Sequence, residues 1–255
     1  MIFTQLIQTN LRTKELGKNI EYYNRLDSTN TEAWELMEEG NQHGTVIVTD
    51  NQTKGRGRMK NTWSMIPGKG VAFSLIIENR FPSNYSGLIS LASGIAVVES
   101  LNKRGIETKL KWPNDVFANE KKLGGILSET KIIKDEIVKV VVGVGINVNE
   151  TIAEHPKDIR DYMTTMLEIS KHPHQRELII AEVINSIEHL FHDISIDPKI
   201  LINKWLDNCL HLDKKISFYD NEIIVEGIFS GLDSNGFAKI EMNNEIKTFG
   251  SINLV

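Results

Sequence analysis

Gly125-Ile126-Leu127-Ser128-Glu129-Thr130, a polar turn over 131–136, and then Ile-Val-Lys-Val-Val-Val-Gly-Val over 137–144 read as two paired strands. Working outward from this hairpin, 71–77 (VAFSLII) and 45–49 (TVIVT) are β-branched and apolar, and read as further strands. A first strand is expected over 20–26. Another begins at 109–111 and must break at Pro113, which lacks the N–H a ladder needs. Helices fall between them. Thr29-Asn30-Thr31-Glu32 has the form of a capping box, followed by Ala33, Leu36 and Met37 on one face and a stop at Gly40. Residues 88–101 form a mostly apolar helix. Ile180, Val183, Ile184, Ile187, Leu190 and Phe191 follow the i, i+3, i+4, i+7 spacing of an amphipathic one. A short helix at 201–206 completes this part, while 150–175 reads as loop with a short helix and 1–20 as a polar extension. Helices with a sheet built from hairpins give an α+β fold.

The character changes after Cys209. Short β-type segments are separated by Asp220-Asn221, Ser234-Asn235-Gly236 and Asn243-Asn244, the spacing of a small barrel or sandwich. We therefore divide the chain into a main domain, 1–208, and a C-terminal β domain, 209–255.

Composition bounds the function. The chain has 255 residues, 29 Lys plus Arg against 34 Asp plus Glu, and a net charge of −5. With 40% hydrophobic and 25% charged residues, it is neither a disordered chain nor a collagen-like one. A single cysteine, Cys209, forms no intrachain disulfide and suits a reducing compartment. The longest apolar stretch, 137–148, contains Lys139 and Asn147 and is too short to span a bilayer. The N-terminal residues lack the basic region and cleavage site of a signal peptide, so the expected location is cytoplasmic, without membrane contact. The acidic balance and the lack of interleaved aromatics speak against nucleic acid as the partner.

Five segments carry chemistry. Gln52-Thr53-Lys54-Gly55-Arg56-Gly57-Arg58 combines two glycines, which allow close backbone approach and positive φ, with three cations, and suits a phosphate or carboxylate. An exposed basic hairpin loop explains it as well. It is neither a Walker loop nor a dinucleotide fingerprint. Lys111-Trp112-Pro113-Asn114-Asp115 ends a strand with a lysine, an amide and a carboxylate; the carboxylate could hold Mg²⁺, although a strand-terminating turn accounts for the same residues. Lys121-Lys122-Leu123-Gly124-Gly125 and Val142-Gly143-Val144-Gly145-Ile146-Asn147 place glycines within strands, which marks close approach of a ligand or another backbone. Asp27-Ser28-Thr29-Asn30 caps a helix, where polar ligands can also bind. The pairs His172/His174, His189/His192 and Cys209/His211 have no further ligands or triad context, and read as incidental.

In this order the five segments resemble the biotin–protein ligases, also called biotin–acetyl-CoA-carboxylase ligases. The likeness runs from about Leu11 to the C-terminus and includes Gly231-Leu232-Asp233-Ser234-Asn235-Gly236. It implies a mixed sheet with flanking helices, related to lipoyl transferases, plus an SH3-like β-barrel. It implies an ATP-dependent enzyme that activates biotin to biotinyl-5'-AMP and passes it to a lysine of a biotin carboxyl carrier protein, using Mg²⁺. Carried over residue by residue, Ser28, Thr29, Asn30 and Gln52 belong to the biotin pocket. Gly125 and Gly143 make room for the ligand, and Gly55, Arg56, Gly57 and Arg58 form the loop over biotin and its adenylate. Lys122, Arg58 and Asp115 are the catalytic set. Arg56, Arg58, Trp63, Lys111, Asn114, Asp115, Lys122 and Asn147 face ATP, and Asp115 also faces the metal. The lysine of Met59-Lys60-Asn61-Thr62-Trp63 stands one place earlier than the family pattern, so Lys60 is left out. Residues 1–20 do not hold the helix-turn-helix of the repressor members, so a ligase without specific DNA binding is expected. The resemblance also allows a homodimer through the sheet. A lipoate–protein ligase is the alternative; Gly-Arg-Gly-Arg followed by Lys-Trp-Pro-Asn-Asp fits the biotin branch better.

Overall fold

The computed structural model describes residues 1–40, 43–78, 80–220 and 223–254, with the side chains of all these except Lys60, Ser195 and Asn253. In chain order, the first part contains α1 (Thr4–Asn10), β1 (Ile20–Tyr23), α2 (Thr29–Glu38), β2 (Val46–Thr49), β3 (Val71–Ile77), β4 (Phe81–Pro82) and α3 (Ser86–Asn102). It continues through β5 (Lys109–Lys111), β6 (Asp115–Ala118), β7 (Lys121–Ile133), β8 (Glu136–Ile146), α4 (Met166–Ser170), α5 (Arg176–Ile196) and α6 (Pro198–Asp207). The second part is all β: β9 (Lys215–Asp220), β10 (Ile223–Leu232), β11 (Ala238–Met242), β12 (Glu245–Phe249) and β13 (Asn253–Leu254).

The main sheet has the order β1-β2-β3-β8-β7-β6-β5, with β4 beside β8. The β1–β2 pair is parallel and the others are antiparallel, so the sheet is mixed. Its spine is the β7–β8 hairpin, paired from Gly124↔Ile146 to Ile133↔Glu136. The turn is tighter than 131–136: Lys134 and Asp135 take φ of 48° and 63°, the left-handed pair that a two-residue hairpin turn needs. Ile132 and Ile133 extend the strand because β-branched side chains fit the pleat.

Period-two alternation divides the sheet into two faces. Val46, Val48, Phe73, Leu75, Val140, Val142 and Val144 pack with α3, α5 and α6 in the large core. Ile47, Ile76 and Val141 point the other way and pack with Ala33 and Met37 of α2. Ser74, Gly143 and Gly145 share that second face by register, which leaves a hollow beside α2.

Two expectations are corrected. The extension at 1–20 contains α1, whose Ile7 is fully buried, and the carboxylate of Glu188 on α5 accepts the N–H groups of Lys14, Glu15 and Leu16 at 2.6, 2.9 and 2.9 Å. Tertiary docking stabilises a seven-residue helix that its own propensity would not. The capping box at Thr29 does not form. Ser28 is the N-cap without a side-chain cap bond, and Thr29 donates its N–H and its hydroxyl to Gln52 Oε1 at 2.8 and 3.1 Å.

The second sheet has the order β12-β11-β10-β9-β13. Its turns include Gly236 at φ 81° and Asn243 and Asn244 at 51° and 64°. Asn221 of the expected 220–221 turn lies outside the described residues. Trp112 Nε1 donates to Gly236 O at 3.2 Å, and Asn84 Nδ2 to Asn235 Oδ1 at 2.8 Å, so the two sheets touch at the N-terminal end of α3. Among the described residues, no helix is long and apolar enough to cross a membrane.

A buried ion pair anchors the basic loop. Asp50 and Arg176 meet at 2.8 Å with both side chains 7% exposed. Arg176 also donates to Gly70 O at 3.2 Å, and Asp50 O accepts Gly68 N at 2.8 Å, so the two ends of 50–70 are drawn together. Burial pushes the Asp50 carboxyl up, but hydrogen bonds from Tyr22 and Arg176 more than offset this and hold it below the usual carboxylate range. Burial and the bond to Asp50 push the Tyr22 hydroxyl up to about 12. Arg176→Ala removes the buried cation and leaves Asp50 the Tyr22 hydroxyl, the Ile2 N–H and the exposed N-terminal ammonium. It is expected to lower the unfolding free energy by about 3 kcal/mol, the low end for a broken buried pair, read by urea denaturation. Because the folded carboxyl is depressed, this contribution is present above the unfolded value and is lost as pH falls through the folded one. A wild-type urea midpoint would remove the pair from the account.

Candidate active site

The hollow beside α2 is a cavity of about 200 Å³. Its walls come from the N-terminus of α2, the basic loop, β5 to β8 and the last residues of the second sheet. Ser28, Thr29, Asn30, Gln52, Arg56, Gly57, Arg58, Trp63, Lys111, Asn114, Asp115, Lys122, Gly125 and Gly143 all line it. Two of the expected residues do not. Gly55 is buried behind the loop, and Asn147 is buried beyond the end of β8, donating from Nδ2 to Thr164 O at 3.1 Å. Asn147 fastens 164–166 to the sheet, and its amide is spent there.

The α2 side of the cavity is neutral and fully networked. Ser74 Oγ lies 2.7 Å from Thr29 Oγ1 and 2.6 Å from Asn30 Oδ1. Asn30 Nδ2 donates to Leu127 O at 3.1 Å and to Glu129 Oε2 at 2.9 Å. Gln52 Oε1 accepts from Thr29, so the donors of its Nε2 are the hydrogen-bonding capacity this wall retains.

The opposite side carries charge. Lys122 Nζ meets Asp115 Oδ1 at 2.7 Å. Asn114 Nδ2 donates to Ile126 O at 2.7 Å, and its Oδ1 accepts Arg58 Nη1 at 3.4 Å. Arg58 Nη2 donates to Ser251 Oγ at 2.7 Å, and the Lys111 ammonium lies 5.6 Å from the centre of the Phe117 ring. Among the described residues, Arg58 and Lys111 have no carboxylate at ion-pair distance. Burial lowers both from their ordinary values, Asp115 opposes the fall at each, and Lys122 adds to it at Lys111. Two half-desolvated cations facing one cavity are suited to an anion.

The glycines act differently from the expectation. Neither Gly55 nor Gly57 has positive φ; the positive-φ residues of the loop are Met59, at 51°, and Gly68, at 75°. The loop folds as a narrow hairpin in which Trp63 N–H donates to Gly55 O at 2.9 Å and Gly57 N–H to Asn61 O at 2.7 Å. A side chain on Gly55 would strike the Trp63 backbone. A side chain on Gly143 would strike the Asn30 amide, so that glycine makes room for a wall residue. A Cβ on Gly125 would meet only Asp115 and the Lys122 stem, at 3.4 Å and beyond.

Several contributors were not singled out from the sequence. Gly145 seats the Trp63 indole, which a Cβ there would meet at 2.5–2.9 Å. Ser74, Glu129, Ser251, Ile252 and Leu254 complete the walls or their supports. The alternation of β3 marks Ser74 as the one polar position in a buried strand, a signal available in the sequence; the C-terminal residues arrive through docking of the second sheet. The histidine and Cys209 pairs lie outside the cavity, and the described residues hold no cluster of three or more His, Cys, Asp or Glu suited to a metal.

Residues 22–147 match the Biotin/lipoate A/B protein ligase family. Over 97% of its length the chain is 31% identical to the bifunctional ligase/repressor BirA of Bacillus subtilis, covering 77% of that protein. It is 32% identical to the biotin–[acetyl-CoA-carboxylase] ligase of Mycobacterium tuberculosis over 57% of this chain and 53% of that one. A solved structure of the biotin protein ligase from Aquifex aeolicus, in complex with biotin and ATP, superposes with a TM-score of 0.78 at 32% identity, covering 93% of this chain and 99% of that one.

The glycine contacts separate two substitutions. Gly143→Ala should displace Asn30 and cost about 1–3 kcal/mol of stability, as overpacking does. Gly125→Ala should cost less than about 1 kcal/mol, because its Cβ finds ordinary contact distances. Urea midpoints of the two variants in parallel test the order, and equal midpoints would contradict it.

Proposed function

Since the chain belongs to the biotin protein ligases, we propose that this cavity activates biotin with ATP and transfers the biotinyl group to a lysine of a biotin carboxyl carrier protein. Biotin, rather than lipoate, is the acid. The observation that carries this reading is the division of the cavity into a neutral donor–acceptor wall at Ser28, Thr29, Asn30 and Gln52 and a cationic side at Arg58, Lys111 and Lys122. Biotin has the same division: a ureido ring with one carbonyl and two N–H groups, and a carboxylate that must meet a phosphate. A site that pairs each ureido group discriminates strongly, because an analogue lacking them leaves buried partners unsatisfied.

In the first step a biotin carboxylate oxygen attacks the α-phosphorus of ATP and pyrophosphate leaves. Two anions must approach, so fixed positive charge is needed where they meet. Lys122 supplies it, Asp115 holds Lys122 in place through their 2.7 Å pair, and Arg58 lies over the bound adenylate. Lys111 and Asn114 lie on the nucleotide side, with Trp63 as the aromatic wall. Asp115 offers one carboxylate, which suits Mg²⁺ only with phosphate oxygens and water completing its shell; the ion would neutralise charge on the phosphates. In the second step the carrier lysine attacks the acyl carbon, and AMP leaves with the bonding electrons. Residues 1–208 form the catalytic unit and 209–255 a β unit that closes one side of its cavity. We place the reaction in the cytoplasm, where ATP is abundant and Cys209 stays reduced.

Exchange of labelled pyrophosphate into ATP is expected with biotin and not with lipoate; no biotin-dependent exchange by folded protein would refute the reading. Lys122→Ala should slow this exchange by roughly 10²–10³, the usual loss for one transition-state charge contact, and a wild-type rate would make Lys122 a bystander. Arg58→Gly removes the bonds to Asn114 and Ser251 while leaving Lys122 and Asp115 in place. It should still form biotinyl-AMP but release it, so that albumin mixed with enzyme, biotin and ATP becomes biotinylated. Albumin labelled no more than by wild type, with adenylation intact, would show that Arg58 does not retain the intermediate.

A further inference from the structure

Glu129 was not among the expected site residues, yet four donors from two other elements converge on it. Arg56 grips its carboxylate with both Nη atoms, Nη1 reaching Oε2 at 3.3 Å. Asn30 Nδ2 and Trp34 Nε1, one turn apart on α2, reach Oε2 at 2.9 and 3.4 Å. The carboxylate is 23% exposed and the guanidinium 44%. An isolated exposed ion pair contributes little. Here the guanidinium is held in a fork, two neutral donors complete the carboxylate, and the group bridges loop, helix and sheet.

The position gives this bridge a consequence. The loop's other side-chain ion pairs are Asp50–Arg176 at its base, Lys54–Asp27 and Lys69–Glu154. Of the residues facing the cavity, Arg56 is tied to β7 through Glu129, and Arg58 is tied to Asn114 and Ser251. The same carboxylate orients Asn30, whose Oδ1 meets Ser74, whose hydroxyl in turn meets Thr29 on the neutral wall. Ordering the wall and closing the loop therefore use one shared group.

We propose that Glu129 is a positioning residue: its carboxylate latches the basic loop, through Arg56, onto the wall that holds the ureido end, and so sets how tightly biotin is bound and how long the adenylate is retained. The proposal rests on the biotin ligase reading. It differs from the role of Arg58, because Glu129 lines no part of the cavity and acts only through Arg56 and Asn30.

Glu129→Gln keeps the size of the side chain and an acceptor for Asn30 and Trp34, but removes the charge opposite Arg56. Three measurements on wild type, Glu129→Gln, Arg56→Ala and the double variant test the latch. Cleavage of the ligand-free loop by the non-specific proteinase K should accelerate roughly tenfold in each variant, since cleavage follows local opening. In pyrophosphate exchange, Glu129→Gln should raise KM for biotin roughly tenfold with a much smaller change in kcat, the pattern of lost preorganisation. Release of preformed biotinyl-AMP should quicken by a similar factor. The double variant should be no worse than either single one, because both remove the same contact. Wild-type behaviour of Glu129→Gln, additive effects in the double variant, or a lowered melting temperature with unchanged loop cleavage and KM would each overturn the proposal. If wild type shows no exchange with biotin, the functional reading falls, and the protease arm still decides whether Glu129 holds the loop.

Discussion

The structure depends on the close pairing of β7 with β8 at a place where four glycines interrupt two apolar strands. A Cβ on Gly124 would press on the Gly145 carbonyl at 2.6 Å, and one on Gly145 would press on the Trp63 indole. Removing side chains at 143 and 145 on one face, while Val142, Val144 and Ile146 fill the core on the other, produces a hollow beneath which the ladder stays paired. The hollow is then furnished by whatever lies over it. Asn30 fills the space above Gly143, Trp63 that above Gly145, and the Lys122–Asp115 pair borders Gly125. One hairpin thus supplies both the rigid core and the floor of the site, which keeps the surrounding groups in fixed relation.

The charges follow the same economy. Of the cations lining the cavity, Arg56 is matched by Glu129 and Lys122 by Asp115. Arg58 and Lys111 face it without a carboxylate partner among the described residues, and burial makes their charge costly until an anion arrives. The loop bearing Arg56 and Arg58 is tied at its base by Asp50 and Arg176, a pair that is itself closed off by Tyr22. Strong buried contacts hold the base and weaker, more exposed ones hold the tip, so the tip can open at a smaller free-energy cost than the base.

Much of this was legible in the sequence, for identifiable reasons. Strands at 45–49, 71–77 and 137–144 announce themselves as β-branched or apolar runs, because burial on both faces imposes them, and the helix around Ile180–Phe191 by its 3.6-residue period. The motif order brought all but two of the expected residues to one cavity. The failures share a cause: the deciding partner was distant in the chain. Thr29 has a helix-capping neighbourhood, but Gln52, 23 residues away, takes its donors. The α1 segment has too little apolar patterning to be read as helix, and Glu188 on α5 anchors the residues after it. Gly55 and Gly57 resemble left-handed turn glycines, but the narrow backbone pairing is what matters: it excludes a side chain at Gly55 against Trp63 and only crowds one at Gly57 against Asn61. Asn147 stands at the end of a motif whose glycines border the cavity, yet its amide serves the 164–166 segment.

The second sheet adds a constraint that no local pattern contains. Ser251, Ile252 and Leu254 reach the cavity only because the turn at Asn235-Gly236 seats against α3, where a Cβ on Gly87 would meet Asn235 O at 2.6 Å. Through Ser251 that sheet touches Arg58, which also touches Asn114 between β5 and β6. A mixed anhydride of biotin and AMP must be screened from water and from stray amines, and must still be delivered to one lysine of another protein. The two arginines of the loop, separated by Gly57, have unequal contacts that follow from this docking: Arg56 is bound to Glu129 in the sheet of its own domain, whereas Arg58 joins the loop to the terminal module through Ser251.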